Sequence, residues 1–397
     1  MPASRLTWFW VFLIAAGAGC APFKLTPQEI EGEAYWSMEG ASPVRTHLAP
    51  ITLDPPLERQ WAFNAEAGFG PASPIVYGNS VIVGTRRGFL MGVYAPTGKR
   101  IGRKRFDHPI EGGAVLDGDR LYIPFAQGKE TVIAYDVRKG KAAWEWEGNP
   151  IEASLLLSDT LLIAVDDSST VYAIGAESGE TVWQQRLDTL AAVVAAPIAM
   201  GDALYVTDEH GLMTRLQAGS GEVVWQVEVG SPVYNSPAAG SGTLFVPGTR
   251  GQLFAVDTDS GEAISLLSLE NRTIRFSSPA YDASSGELFV AATDGILRSV
   301  DVIKGTVNWQ FQADAAISAP PLITNRTIYV GSLSGHLFGV DRASGAQLWT
   351  MKLDGRIKSA MAVQDGHLVV LSEPQHVHLL KPSSSKESVT DALPLSN

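Results

Sequence analysis

Apolar and polar residues alternate in short runs along most of the chain, and glycine or aspartate interrupts the runs every few residues. One stretch contains the run Thr243–Val246, then Gly251, a second run Leu253–Val256 and a turn that ends at Gly261. Short runs bounded by turn residues are typical of β-strands, and no helical spacing of apolar residues persists between these glycines. The pattern therefore predicts many short strands and an all-β fold.

The pattern repeats about every 41 residues, a period that together with several strands per repeat is typical of a propeller blade. One landmark is a turn glycine before a further apolar run, with spacings from 39 to 44 residues: Gly98, Gly140, Gly179, Gly221, Gly261, Gly305 and Gly345. A second landmark, a small residue at the start of each repeat, runs in phase with the first: Ser73, Gly113, Ser154, Ala196, Ser236, Ser278, Ala319 and Ser359. Two signals in phase predict one repeat fold.

The two landmarks also predict how the ring closes. Eight repeat starts occur, but only seven turns lead to a fourth strand. Leu57–Phe63 has the sequence of a fourth strand and precedes the first repeat, whereas the last repeat ends at Val377–Lys381. We therefore expect these segments to pair and to close an eight-bladed β-propeller of four-stranded antiparallel blades over residues 57–381, which hides sheet edges.

One tryptophan recurs in the predicted fourth strand of most repeats. The positions are Trp61, Trp144, Trp183, Trp225, Trp309 and Trp349. A residue on the outer strand of every blade does not reach a ligand on the axis, so we interpret these side chains as packing between blades; the alternative is a ring of aromatic side chains for a cofactor. Gly102 and Ser265 take this position in two repeats, where we expect looser packing.

The ends of the chain predict a leader, a linker and a tail. Residues 6–16 form an apolar run too short to span a membrane, and small residues then lead to Cys20. This ending resembles the lipobox of bacterial lipoproteins, which implies a leader over residues 1–19 and lipid attachment at Cys20; the alternative is an ordinary signal peptide. Ala21 after the cysteine implies the outer membrane. Proline density predicts a linker over residues 20–56, which the lipobox resemblance implies is lipid-anchored, and residues 382–397 are predicted to be a disordered tail.

Composition and charge limit the function. Of 397 residues, 45% are hydrophobic and 18% charged, as in globular proteins, and the net charge of −12 disfavours nucleic acid as a partner. One cluster reverses that charge: Arg86, Arg87, Lys99, Arg100, Arg103, Lys104 and Arg105. We interpret the cluster as a partner-binding patch for an acidic protein or anionic headgroups; the alternative is a solvated blade rim.

Candidate chemistry is sparse in the sequence. Cys20 is the single cysteine, so no disulfide or cysteine-type metal site can form within the chain. His376 and His378 share one strand face, but the sequence offers no third metal ligand, and no nucleophile-elbow or P-loop motif occurs. We predict a monomer without catalytic residues, metal or cofactor.

The repeat itself resembles a known family. Ala134-Tyr135-Asp136, followed by Gly140 and Trp144, resembles the tryptophan-docking repeat of pyrroloquinoline-quinone (PQQ)-type propellers. With its leader, the chain is similar to the BamB family of lipoproteins. That resemblance implies a non-catalytic, periplasm-facing scaffold in a Gram-negative bacterium, with protein partners in the outer-membrane β-barrel assembly machinery. The alternatives are a quinone-binding dehydrogenase, which usually carries a vicinal cysteine pair, and a sugar- or cell-wall-binding lipoprotein. The sequence Trp36-Ser37-Met38-Glu39-Gly40, with Arg45-Thr46, also resembles a segment that precedes many such propellers.

Overall fold

A computed structural model describes residues 23–32, 35–189 and 191–383 of the chain. The expected leader, the expected lipid site at Cys20 and most of the expected tail lie outside these residues. Over the described ranges the chain forms 33 strands and no helix. Accordingly, the described ranges contain no helix that could cross a membrane.

Eight antiparallel sheets form blades, numbered 1 to 8 along the chain. The strands that precede the first blade are β1 (Tyr35–Trp36) and β2 (Leu57–Asn64). Blade 1 contains β3 (Ile75–Tyr77), β4 (Ser80–Gly84), β5 (Phe89–Tyr94) and β6 (Lys99–Arg105). Blade 2 contains β7 (Val115–Asp117), β8 (Arg120–Pro124), β9 (Glu130–Asp136) and β10 (Lys141–Glu147). Blade 3 contains β11 (Leu156–Ser158), β12 (Leu161–Val165), β13 (Thr170–Gly175) and β14 (Thr181–Arg186).

The remaining blades repeat this arrangement. Blade 4 contains β15 (Ile198–Met200), β16 (Ala203–Thr207), β17 (Leu212–Gln217) and β18 (Val223–Glu228). Blade 5 contains β19 (Ala238–Gly240), β20 (Thr243–Pro247), β21 (Gln252–Asp257) and β22 (Ala263–Ser268). Blade 6 contains β23 (Ala280–Asp282), β24 (Glu287–Ala291), β25 (Ile296–Asp301) and β26 (Thr306–Gln312). Blade 7 contains β27 (Leu322–Ile323), β28 (Thr327–Gly331), β29 (His336–Asp341) and β30 (Gln347–Lys352). Blade 8 contains β31 (Ala362–Gln364), β32 (His367–Ser372), β33 (His376–Pro382) and β2.

The eight-bladed ring and its mode of closure are confirmed. In each blade the strand order runs from a short inner strand to an outer strand, and in blade 8 the outer strand is β2, beside β33. The register of this pair runs from Leu57 opposite Pro382 to Asn64 opposite His376. Leu57–Phe63 thus pairs with the segment around Val377–Lys381, as the repeat count predicts.

The apolar core lies between neighbouring blades. The second and third strands of a blade have neighbours on both faces, and they read as nearly continuous buried apolar runs: β12 and β20 each contain four consecutive buried residues. The outer strands instead alternate between exposed and half-buried positions, as in β14 and β18. Each blade is therefore stabilised mainly by its two neighbours.

Residues 35–51, which we call the axial segment, differ from the linker that proline density predicts. Strand β1 pairs with the inner strand β3, and the chain then continues past the inner strands of the other blades. Trp36, Arg45 and His47 are at most 3% exposed. The apolar side chains of the segment pack against the ring, and its charged side chains form hydrogen bonds with it. Proline content does not indicate these contacts. The described part of residues 20–56 is therefore not a free tether.

Candidate functional site

The axial segment fills the centre of the propeller and satisfies the inner edges of its blades. Backbone N–H groups of blades 2, 4, 5, 6 and 7 donate to carbonyl oxygens of the segment at 2.8–3.1 Å. The acceptors are Ser37, Pro43, Val44, Thr46 and His47. Blade 1 pairs with β1, blade 3 is bonded through the Arg45 side chain, and blade 8 shares an apolar cluster with Trp36. One segment of the chain thus contacts all eight blades.

A buried ion pair holds the segment in place. The Arg45 guanidinium lies 3.6 Å from the Glu39 carboxylate and is fully buried. It donates to the carbonyl oxygens of Pro197 at 2.8 Å, Leu155 at 3.0 Å and Glu39 at 3.2 Å. Burial lowers the pKa of Arg45, and Glu39 opposes that shift. The Ser154 hydroxyl donates to the same carboxylate at 2.5 Å, so both charges have polar partners, as buried charges require.

The segment coils tightly around this pair. Ala41, Arg45 and His47 adopt left-handed backbone conformations, with φ of 68°, 50° and 50°. At Gly40 a side chain would not fit, because a Cβ atom there would lie 2.6 Å from the Cα atom of Arg45. Burial lowers the pKa of His47 to about 4, so its ring is neutral near pH 7. Such strain requires surroundings that fix the conformation, which the eight inner strands provide.

A polar depression, which we call the funnel, opens above the segment on the face that carries the loops between blades. Its lining residues come from most of the blades and include Glu39, Glu152, Ser154, Tyr234, Ser318 and Lys358. Two of the repeat-start serines that line the funnel also hold the ring together: Ser154 accepts a hydrogen bond from the Gly113 N–H, and Ser236 accepts one from the Ala196 N–H. These contacts join blade 2 to blade 3 and blade 4 to blade 5.

The axis does not fit a quinone cofactor. A flat ligand on the propeller axis would need the space that Glu39, Arg45 and their hydrogen-bond partners occupy, and those groups bond to one another. In the described residues no group of three histidine, aspartate, glutamate or cysteine side chains converges to hold a metal ion. The residues at the axis are thus arranged to bind the chain's own N-terminal region.

The recurring tryptophans lie between blades, on the side away from the axis. The indole N–H groups of Trp61, Trp144 and Trp183 donate to carbonyl oxygens of the following blade at 2.6–3.0 Å. Trp225 donates to Thr258 at 3.3 Å, and its ring packs on Gly261, whose φ of 74° favours glycine. Trp309 packs in the same way on the next turn, and Trp349 packs against blade 8. A β-bulge immediately before each of these residues is the local feature that directs the ring towards the next blade.

The two repeats without tryptophan are not loosely packed, contrary to the expectation from Gly102 and Ser265. Phe23 fills the position beside Gly102: it is fully buried, and its ring lies where a Cβ atom of Gly92 would point. The Tyr135 hydroxyl donates to the Phe23 carbonyl oxygen at 2.7 Å. In blade 5 the bulge is shifted along the strand, and Leu266 contacts the turn of blade 6 instead.

The seven bases of the predicted patch lie on blade 1, but acids from elsewhere pair with some of them. Glu66 lies 3.4 Å from Arg100 and 2.9 Å from Arg103. Glu373 of blade 8 lies 3.4 Å from Arg86. The Arg87 guanidinium donates to the Glu66 carbonyl oxygen at 3.5 Å, and Lys99, Lys104 and Arg105 are exposed. Part of the cluster therefore joins blade 1 to blade 8 across the ring closure.

Two histidine clusters lack the geometry of catalytic sites. Both the Asp314 carboxylate, at 2.6 Å, and the Ser334 hydroxyl, at 3.0 Å, contact the Nδ1 atom of His336, whereas a nucleophile–base relay needs partners on opposite ring nitrogens. Burial acts to raise the pKa of Asp314, but hydrogen bonds from Ser334, Ser332 and His336 outweigh burial and lower that pKa. His378 is buried and shares a 2.8 Å hydrogen bond with Ser372, which gives this histidine a structural role in blade 8.

Sequence reasoning missed the structural roles of Phe23, Glu39, Arg45 and His47. Two signals were available. First, Gly102 replaces the tryptophan of its repeat, so an apolar side chain from another part of the chain has to fill that space. Second, the predicted linker contains Phe23, Leu25 and Trp36, and a solvated linker does not need such large apolar side chains. The position in the ring that a distant segment occupies depends on the three-dimensional arrangement of the blades, and the sequence pattern does not show that arrangement.

Comparisons with known proteins agree with this architecture. The sequence profile of a family described as outer membrane protein assembly factor BamB matches residues 51–169, 167–319 and 293–384. A protein of that description from Shewanella oneidensis is 28% identical over 216 residues, which are 48% of this chain and 54% of the relative. One from Yersinia pestis is 23% identical over 245 residues, or 56% and 61% of the two chains. The chain thus spans less than two thirds of these curated relatives.

Solved structures share the fold. BamB from Moraxella catarrhalis matches with a TM-score of 0.66 at 19% identity, over 82% of this chain and all of that chain. A quinohemoprotein alcohol dehydrogenase from Comamonas testosteroni matches with a TM-score of 0.73 at 12% identity, over 89% and 82% of the two chains. At such identities the likeness shows the fold alone, which hosts both scaffolds and enzymes.

Proposed function

This chain belongs to the family described as outer membrane protein assembly factor BamB, and on that premise we propose that it is a non-catalytic scaffold in the assembly of outer-membrane β-barrel proteins. In this proposal a lipid at Cys20 holds the ring at the outer membrane, where it faces the periplasm. Its partners are components of the β-barrel assembly machinery.

The observation that carries the proposal is the filled axis. Because residues 35–51 occupy the channel, bond to blades 1 to 7 and pack against blade 8, the ring offers partners its loops and outer strands rather than a ligand site in the channel. The outer edges of the blades present unpaired backbone groups, to which an extended partner strand can add without a fixed sequence. A rigid ring with accessible edges suits a scaffold better than an enzyme.

One part of the outer surface is suited to a protein partner. The outer strands of the neighbouring blades 3, 4 and 5 expose Val182, Val224 and Ile264, which are 58%, 50% and 53% exposed. Exposed apolar side chains on neighbouring outer strands are a feature of interaction surfaces. We propose this three-blade surface as a contact for the assembly machinery.

Crosslinking and affinity isolation from membranes test the proposal. We expect β-barrel assembly components to co-isolate with the wild-type chain and to be lost from a Val182→Glu, Val224→Glu, Ile264→Glu variant. Ile303→Glu is the matched control, because Ile303 is 93% exposed on a turn of blade 6. If no such component co-isolates with the wild-type chain, the proposal is wrong.

A second experiment addresses the anchor and the competing enzyme class. Labelling with a fatty-acid probe is expected to mark the wild-type chain and not the Cys20→Ser variant. Absorbance after addition of PQQ and calcium is expected to show no bound quinone, since the axis is filled. Tight reconstitution with alcohol-dependent dye reduction would overturn the scaffold proposal.

A further inference from the structure

The outer strand of blade 1 differs in charge from every other outer strand. Strand β6 carries five bases and no acid, a net charge of +5. The outer strands of the other seven blades, β2, β10, β14, β18, β22, β26 and β30, carry net charges between −1 and +1. Glu66 pairs with two of the five bases, and Lys99, Lys104 and Arg105 remain exposed without a described acid in ion-pair contact. This concentration stands out in a chain with a net charge of −12.

The N-terminal part of the chain is fixed against the same strand. Phe23 packs between β5 of blade 1 and the β9–β10 turn of blade 2, and Ile101 of β6 packs against the same apolar cluster. The Leu25 N–H donates to the Val137 carbonyl oxygen at 2.7 Å, which holds the next residues in place. Lys24, between them, is exposed. The described chain therefore begins at the rim of blade 1.

The length of chain between Cys20 and Phe23 limits how far that rim can lie from an anchor. Three residues of extended chain span at most about 11 Å. A lipid on Cys20 would therefore hold β6 close to the bilayer, at a distance comparable to the Debye length of about 8 Å at physiological salt. Bases at that distance experience the negative surface potential of a membrane that contains anionic lipids.

We propose that β6 is a membrane-facing surface, whose exposed bases Lys99, Lys104 and Arg105 contact anionic phospholipid headgroups and fix the orientation of the ring on the bilayer. The inference rests on the anchor at Cys20 that is part of the proposed function. In a closed ring of eight blades, blade 5 lies opposite blade 1, so the same orientation turns blades 4 and 5 away from the bilayer and places blade 3 at the side of the ring. A lipid surface fits better than an acidic protein because the cations lie where the chain enters from its anchor.

Vesicle co-sedimentation tests the surface without the lipid anchor. The protein is the chain from residue 20 onward with Cys20→Ser, which keeps every described residue. Vesicles contain phosphatidylcholine alone or with about one third phosphatidylglycerol, at low and high salt. We expect binding only to the anionic vesicles, weakened by salt, and at least about tenfold weaker for Lys99→Glu, Lys104→Glu, Arg105→Glu, because each base near such a surface contributes severalfold to the affinity.

Two further variants keep the result interpretable. Arg186→Glu, Arg272→Glu, Arg275→Glu reverses three exposed bases outside β6 and is expected to bind anionic vesicles like the wild type, apart from a small effect of net charge. Lys99→Gln, Lys104→Gln, Arg105→Gln removes the same cations with less change in charge and is expected to keep the wild-type melting temperature while losing vesicle binding.

Two outcomes would overturn the inference. One is equal binding of the β6 variants and the wild type to anionic vesicles, or wild-type binding that does not distinguish the two vesicle types. The other is loss of a co-isolated acidic protein from the β6 variant with no vesicle effect, which would assign the strand to a protein contact. Failure of fatty-acid labelling at Cys20 would instead remove the anchor, and it is measured separately.

Discussion

The buried contact between Arg45 and Glu39 yields the sharpest test of the axial segment. Replacing Arg45 by methionine keeps most of the side-chain length but removes a fully buried charge and three hydrogen bonds to backbone carbonyl oxygens. The substitution also leaves the Glu39 carboxylate buried without its cation. Removing one partner of a buried ion pair typically costs about 3–5 kcal/mol. We therefore expect Arg45→Met to lower the free energy of unfolding by about that amount.

Urea unfolding followed by tryptophan fluorescence measures this effect, and a matched control comes from the surface. Arg356 pairs with Glu373 at 3.1 Å but its side chain is 60% exposed, so Arg356→Met is expected to lower the free energy of unfolding by less than about 1 kcal/mol. Glu39→Gln keeps an acceptor for Ser154. In the double variant, Arg45→Met with Glu39→Gln, the loss is expected to be smaller than the sum of the single losses by about 1 kcal/mol or more.

The reasoning fails if Arg45→Met unfolds within about 1 kcal/mol of the wild type, or if the two substitutions are additive. Limited proteolysis gives a second measure. If the ion pair holds the segment in the channel, Arg45→Met should expose residues 35–51 to cleavage under conditions in which the wild type and Arg356→Met are resistant.

Three further predictions follow from contacts described above. Trp225→Ala is expected to lower the free energy of unfolding by about 3 kcal/mol, because a half-buried indole and its bond to Thr258 are lost, and Trp225→Phe by clearly less; thermal melts check both. Phe23→Ala removes a fully buried ring and is expected to cost about 3–4 kcal/mol and to speed proteolysis of the N-terminal residues, whereas Lys24→Ala, at an exposed neighbour, should do neither. Burial lowers the pKa of His47 and His378 to about 4, below the value of about 6.5 in an unfolded chain, so the unfolded chain takes up protons first as pH falls. The free energy of unfolding should therefore decrease by up to about 3 kcal/mol per histidine between pH 6.5 and 4, and a pH series of urea titrations in which His378→Asn loses less than the wild type checks it.

The ring itself could be predicted from the sequence because its signals are local and repeated. A turn glycine such as Gly261 and an apolar run such as Leu253–Val256 each predict the structure of the residues around them. Because the repeat starts recur eight times at a nearly constant spacing, they predict a single architecture, the eight-bladed ring. Even the pairing of β2 with β33 followed from counting, since a strand without a blade at one end matched a blade without a strand at the other.

The axial segment could not be predicted in the same way because it occurs once and has no period. Its proline content indicates only that it is neither helix nor central strand, and that is true of the structure as well. What makes Arg45 a buried residue is the arrangement of carbonyl oxygens from Leu155 and Pro197, more than 100 residues away along the chain. The charged cluster on blade 1 was visible in the sequence, but its partial neutralisation by Glu66 depends on the ring closure.

The pairing of Leu57 with Pro382 has a consequence for the order in which the protein can mature. During synthesis the amino-terminal end emerges first, yet its partners belong to the last repeat to be made. Contacts between residues so far apart in the sequence form slowly, and until they form, apolar surface and unpaired strand edges remain exposed. The nascent polypeptide therefore has to remain unassembled at both its centre and its seam until the final repeat has left the ribosome, and a truncated product that lacks this repeat cannot complete the ring.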